Sequence, residues 1–285
     1  MKRGVVLVAV GHPFYGNYAH NLAMSIKAVT PEIPIVCLTD GEGTRHLVDP
    51  VFNYTIRLKP QDITTNGLKD YIRPKVFLNE HSPFDETIFI DADVLWTPKK
   101  KITDLFDTLN NVNLTIGNHS KIDIKEAKKG FIHWANPEHI REKLGFIEGT
   151  LYNLSSEFIY FKKTEEVDLF FKIAQDFYEN PTIDFMRFAH GVPDELAFEI
   201  AMLKTGIYPH QSPFLPFYWE HAQKKSWEPF QIYEKFYGIS MGGNVIDFRS
   251  QNTYDNLAKA IAKKFNQIFA PCRSKKSFLT ERSKI

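Results

Sequence analysis

With 285 residues, 43% of them apolar, the chain can bury one sizeable core and is short for two ordinary domains and a linker; its 14% aromatic content excludes a disordered chain. Thirty-five Lys and Arg against 34 Asp and Glu leave a net charge of +1, which excludes a whole-chain attraction to nucleic acid or membrane. Two cysteines, Cys37 and Cys272, exclude a disulfide framework or a cysteine metal cluster and point to a reducing compartment, by default the cytoplasm.

Along the chain, the opening MKRGVVLVAVG is too short and too β-branched for a signal peptide and reads as a buried strand, Val5–Val10, ended by Gly11. Leu22, Ile26 and Val29 give helical spacing over Asn17–Val29, and a second strand is expected at Ile33–Leu38, closed by Thr39-Asp40-Gly41. Residues 51–58 are a candidate third strand, Leu68–Glu80 reads as helical, and Thr87–Ile90 is a short apolar strand running into Asp91-Ala92-Asp93. Alternating strand and helix is the pattern of a doubly wound α/β sheet that binds nucleotides. Further on, Asn113–Ile116 and Phe158–Phe161 are expected strands, Ile122–Trp134 is basic and aromatic, and Pro137–Leu144 is a short helix. Thr164 caps a helix through Tyr178, and Asp194–Leu203 forms another. After an aromatic, Pro-rich stretch come the glycine loop Tyr237–Asn244, a strand at Val245–Phe248 and an amphipathic helix over Tyr254–Phe269. No segment approaches the length needed to span a bilayer.

Asp91 and Asp93 carry the chemistry. If the chain is extended there, residues two apart point to one side, at the carboxyl edge of the sheet where open α/β folds bind ligands. Two adjacent carboxylates repel, so a hard cation, Mg²⁺ or Mn²⁺, is their expected partner, its shell completed by water and substrate phosphates. Such an ion neutralises a leaving diphosphate without a protonated side chain. The alternative is a solvated turn, against which stand the apolar strand before the pair, Val94-Leu95-Trp96 after it and the basic stretch Lys69–Lys75 upstream.

VVLVAVG, YAHNLAMSIKAV, IPIVCLTD and YIRPKVFLNEHSPFDETIFIDADVLW, in that order, resemble the donor half of GT-A glycosyltransferases, particularly the glycogenin-like and lipopolysaccharide-galactosyltransferase group. The likeness covers residues 5–100 well and the rest loosely. It implies a GT-A fold: a Rossmann-like, doubly wound mixed sheet with helices on both faces. One catalytic domain is expected over residues 1–253, a donor half to about residue 100 and an acceptor half after it, followed by a helix and basic tail at 254–285. It implies Mn²⁺ or Mg²⁺ on Asp91 and Asp93 beside Ala92, and a cation, Lys75 or Arg73, on the donor phosphates or sugar. Val10, Gly11, Tyr15 and Asp40 would hold the nucleoside of a donor that is a UDP-sugar by family default. Asp194-Glu195 resembles the acidic pair that opens a helix near the sugar, although Asp194 after Pro193 has an alternative reading as a cap or first-turn acid. The family's Asn, small residue, Gly strand has its nearest text in Asn153-Leu154-Ser155-Ser156, without the glycine. Its third metal ligand, a histidine in a C-terminal motif, has no clear counterpart; His221 is the candidate, with His210 also available. The family retains configuration; an inverting enzyme would need Asp194 or Glu195 as general base.

Residues 259–285 hold eight basic residues and one acid, a charge of +7, which leaves −6 on the body. The resemblance to GT-A enzymes implies glycans, lipid-linked glycans or hydroxymethylated DNA bases as candidate acceptors, and the basic end is a candidate contact for a polyanion or for a membrane surface. Two other classes compete. A nucleotidyltransferase would need a basic Gly-rich loop after the first strand, and GHPFYGNYAH has neither Lys nor Arg; a non-catalytic binding module leaves Asp91 and Asp93 unexplained.

Overall fold

The structure, a computed structural model, describes residues 2–42, 51–128, 134–187, 191–219, 229–241, 256–260 and 263. In chain order the strands are β1 (Arg3–Ala9), β2 (Ile35–Thr39), β3 (Tyr54–Arg57), β4 (Thr64–Thr65), β5 (Leu68–Lys69), β6 (Glu86–Ile90), β7 (Val94–Trp96), β8 (Leu114–Asp123), β9 (Thr150–Lys162), β10 (Phe217–Trp219) and β11 (Gly238–Ser240). The helices are α1 (Pro13–Val29), α2 (Arg73–Val76), α3 (Leu78–His81), α4 (Ile102–Thr108), α5 (Pro137–Leu144), α6 (Glu165–Glu179), α7 (Asp194–Thr205) and α8 (Pro229–Lys235). Two compact units are woven from several segments each: Met1–Val6, Leu58–Asp91 and Leu105–Pro216 form one, and Leu7–Arg57, Ala92–Asp104 and Phe217–Ile285 the other.

In the first unit the strands run β1-β6-β9-β8, with β1 parallel to β6 and the other pairs antiparallel. Every residue of β6 is buried, because the strand is covered on both faces, and this produces the continuous apolar run seen in the sequence. Glu86, 1% exposed, is tolerated there because Arg3 Nε and Tyr160 Oη both donate to it, at 2.8 and 2.6 Å. The β8–β9 ladder shifts register between Ile116 and Gly117, where a side chain on Gly117 would stand 2.7 Å from the Ser155 carbonyl oxygen. Only a glycine admits that approach. Asn136 caps α5 by accepting from Glu138 N at 3.0 Å, and Thr164 caps α6 by accepting from Val167 N. α7 is apolar nearly all round and sinks into the unit, stacking Phe198 on Phe170 with centroids 6.0 Å apart.

In the second unit β2 lies between the end of β1 and β3, and pairs with β3 in parallel. A three-stranded sheet, β10-β11-β7, completes it. α1 packs near β7, and two hydroxyls, Ser25 within it and Thr30 just after it, serve buried backbone: Ser25 Oγ accepts from Trp96 N at 3.1 Å, and Thr30 Oγ1 from Ile102 N at 3.2 Å.

The structure departs from the sequence expectations in several places. Leu68–Glu80 is not one helix. It opens with β5, the second strand of the β4–β5 hairpin, and continues as α2 and α3, two single turns broken at Phe77. Asn66 and Gly67, at φ 51° and 77°, make the hairpin turn, and Pro74 cannot supply a helical N–H. α1 begins at Pro13, a residue favoured in a first turn, ahead of Asn17. The strands expected at Asn113–Ile116 and Phe158–Phe161 are the ends of much longer ones, and Gly238–Ser240 of the glycine loop is a strand. Residues 256–260 and 263 are helical, within the expected terminal helix; the rest of that helix, the strand at 245–248, Gly242–Asn244 and nearly all of the basic tail lie outside the described residues. Among the described residues no helix is long and apolar enough to cross a membrane.

Candidate functional site

β6 delivers Asp91 at its end, where the Asp91 N–H donates to Glu157 O at 3.0 Å and so anchors the residue to β9. Asp91-Ala92-Asp93 is then a turn, not extended chain, so the two carboxylates are not set side by side by strand geometry. Ala92 is buried, and Asp93, 7% exposed, opens β7 with its carbonyl accepting from Met241 N. Lys75, on α2, places Nζ 2.7 Å from Asp91 Oδ2 and 3.8 Å from Asp194 Oδ2. Burial alone would depress the Lys75 ammonium, but Asp91, Asp194 and Glu195 outweigh it and hold it above the usual lysine range. Arg73, the other candidate cation, turns elsewhere: it pairs with Glu179 at 2.5 Å and lies over the Phe77 ring at 3.9 Å. Pro74 separates the two, so they leave α2 in different directions.

Asp194 and Glu195 occupy the first turn of α7, where the helix dipole favours anions. Pro193 is the N-cap and gives no side-chain capping bond; Asp194 follows it. Its Oδ2 is buried without a hydrogen-bond partner and is left facing the ammonium of Lys75. Both oxygens of Glu195 are taken: Oε2 accepts from the Trp134 indole N–H at 2.6 Å and Oε1 from Ser156 N at 3.2 Å. Burial, then the neighbouring Asp194, pushes the Glu195 carboxyl up, against the pull of Trp134, Ser156 and Lys75. Replacing Trp134 by Phe removes one of those opposing bonds. The Glu195 ionisation is expected to move to still higher pH, which a nuclear magnetic resonance titration of its carboxyl carbon in parent and variant would register. One turn along α7, Glu199 shares with Glu195, Trp134 and Tyr152 the lining of a small cleft. Its Oε1 accepts from Tyr152 N at 2.9 Å, its Oε2 is buried without a partner, and burial raises its carboxyl well above the usual range.

In the second unit, Gly11 N donates to Asp40 Oδ2 at 2.9 Å, which joins the ends of β1 and β2. Gly11 and Gly41 have φ of 82° and 93°, a backbone that side chains resist. Val10 is buried and Tyr15 is 43% exposed. His221 lies outside the described residues. His210 packs on Phe214, ring centroids 4.7 Å apart, and burial lowers its basicity. Among the described residues no group of three His, Cys, Asp or Glu is arranged to hold a metal ion. Trp134 and Ser156 fix Glu195 from 61 and 39 residues away; Ser156 lies in the Asn153–Ser156 text that the resemblance pointed to, whereas no sequence signal tied Trp134 to Glu195.

No protein-family model matches the sequence, and no curated protein is similar to it at the sequence level. Solved structures are similar in fold. The galactosyltransferase LgtC, in complex with donor and acceptor sugar analogs, is 16% identical with a TM-score of 0.54, over 90% of this chain and 95% of that one. The fold is that of the GT-A glycosyltransferases. An active-site mutant of LgtC superposes on the GT-A fold of this chain with a TM-score of 0.53 at 17% identity, over 90% and 95% of the two chains. The bifunctional glycosyltransferase WbbM, in its apo form, gives 0.54 at 14% identity, over 92% of this chain and 51% of that one.

Proposed function

We propose that this GT-A protein transfers a sugar from a nucleotide-diphosphate donor, a UDP-sugar by family default, to a hydroxyl of a glycan or lipid-linked glycan acceptor. The observation that carries the reading is the Lys75, Asp91, Asp194 cluster at the carboxyl end of β6. Asp91 and Asp93 would hold a divalent ion through carboxylate oxygen, the donor that Mn²⁺ or Mg²⁺ prefers, and Asp91 Oδ2 already accepts a hydrogen bond from the Lys75 ammonium. When bound, the ion would neutralise charge on the leaving diphosphate.

The chain's own residues do the rest. Lys75 holds a donor phosphate oxygen, a point charge that follows the negative charge as the bond between the anomeric carbon and the diphosphate breaks. Asp194 Oδ2, lacking a hydrogen-bond partner, accepts from a hydroxyl of the donor sugar and orients the ring. Glu195, with both oxygens engaged, is poorly placed as a general base. With Asp194 given to the donor sugar and Glu195 engaged, this reading takes the family's retaining course, in which the acceptor oxygen attacks the face the diphosphate leaves and its proton passes to the departing phosphate oxygen. Asp40 and Gly11 form the turn that receives the nucleoside.

A panel of nucleotide sugars with Mn²⁺, Mg²⁺ or EDTA tests this. Metal-dependent release of one nucleoside diphosphate is expected, reduced by about 100-fold or more in Asp93→Ala. Silence from every donor, with no Mn²⁺-dependent nucleotide binding, would sink the reading. A second reading, hydroxymethylated DNA bases as acceptor, rests on the +7 segment at 259–285 and requires salt-sensitive retention of the full chain on DNA.

A further inference from the structure

Asp70 lies outside the Lys75, Asp91, Asp194 cluster, yet it bonds to the segment that carries Lys75 and lies against the one that leads to Asp194. It is 7% exposed and uses both oxygens twice. Oδ1 accepts from the backbone N–H groups of Ile72 and Arg73, at 3.2 and 3.3 Å. Oδ2 accepts from the hydroxyls of Thr65 and Tyr178, at 2.7 and 2.8 Å. A carboxylate has about four lone-pair sites, so this one is filled and has little freedom to turn.

Each bond has a consequence for the site. α2 is four residues long, contains a proline and has no side-chain cap of its own at Ile72, so it cannot persist alone. Asp70 supplies the missing acceptor two residues upstream and thereby sets the turn from which Lys75 projects. Thr65 ties the same carboxylate to the β4–β5 hairpin, and Tyr178 ties it to α6. Gly191, in the segment that leads into Asp194, passes so close that a Cβ there would meet Asp70 Oδ2 at 3.2 Å and Tyr178 Oη at 3.5 Å.

We propose that Asp70 is a positioning residue of the donor site: it fixes the Lys75 turn against the Gly191–Asp194 segment and so sets the 3.8 Å approach of Lys75 to Asp194. The proposal rests on the reading of Lys75 and Asp194 as donor-binding groups.

The test uses the full chain and four variants that leave the cluster itself intact. Thr65→Val and Tyr178→Phe each remove one hydroxyl, Gly191→Ala crowds the carboxylate without deleting a hydrogen-bonding group, and Thr65→Ser restores the hydroxyl. Donor turnover is expected to fall by about 10- to 100-fold in the first three, chiefly in kcat, and to return in Thr65→Ser. A ligand-free readout accompanies it. The Lys75 ammonium, assigned by nuclear magnetic resonance through its loss in Lys75→Ala, is expected to exchange faster with water in Gly191→Ala and Tyr178→Phe than in the parent. Variants that lose thermal stability while keeping both turnover and the ammonium signal would make Asp70 a fold staple only and overturn the proposal. Should Lys75→Ala itself turn donor over normally, the donor-site reading fails as well; loss in Lys75→Ala with no effect in the other three sinks the positioning role alone.

Discussion

Lys75→Met is expected to destabilise the protein by about 3–5 kcal/mol near pH 7 and to remove donor turnover by about 100-fold or more. The side chains of Lys75, Asp91 and Asp194 are only 16%, 22% and 9% exposed, so losing the ammonium strands two carboxylates in a region that water screens weakly. Methionine preserves the stem and much of its packing over the Phe89 ring, so the loss reports the charge. The sign of the pH dependence follows from the raised folded-state value. Stability from the pair is complete below the unfolded lysine value, about 10.4, and disappears only as pH climbs through the folded one. The gap between parent and variant in chemical denaturation is therefore expected to hold from neutrality to about pH 10. A gap below about 1 kcal/mol would mean that the pair behaves as a solvated surface contact.

Glu199→Gln is expected to act in the opposite direction, raising stability by about 1–3 kcal/mol at about pH 8. Glu199 is 2% exposed, has one backbone N–H as a partner and leaves Oε2 unsatisfied. Its carboxyl is raised, so the folded chain takes up a proton that the unfolded chain releases. The associated stability is complete below the unfolded glutamate value, about 4.3, and is lost as pH rises towards the folded one. Glutamine keeps the shape and the acceptor for Tyr152 N without that proton. Thermal melts across the pH range are expected to show the variant's advantage growing from acid to alkaline pH. A flat difference would mean that Glu199 does not titrate between the two states.

What the sequence disclosed follows from how each element is covered. β1, β2 and β6 are buried on both faces, so their apolar runs stand out, and Asn136 and Thr164 announce α5 and α6 through capping that needs only local residues. β9 was legible only at Phe158–Phe161, because Thr150–Glu157 is mostly polar or small although buried. The β4–β5 hairpin carries a local signal of its own: Asn66-Gly67 is the dipeptide that a two-residue turn prefers. Asp91 was visible at the end of an apolar strand, whereas its partner was not, since spacing alone cannot separate Lys75 from Arg73. Trp134 and Ser156 on Glu195, and Tyr178 on Asp70, are contacts across long stretches of chain that no local pattern encodes.

β8 is the last strand of the first unit's sheet and, at ten residues, a long one. An outer strand of that length offers a row of spare amides and carbonyls to any stray chain. Here Asn118 exchanges both backbone bonds with Phe214, at 2.8 and 2.9 Å, and its side-chain amide donates to Gln211 O at 3.0 Å. The short stretch before β10 thus works as a guard rail at mid-strand, blocking the ribbon from being lengthened by a neighbour. Substituting Phe214 by proline would remove the N–H that faces Asn118 O and reopen that margin. The cost would appear less in catalysis than in the concentration at which the protein stays dispersed.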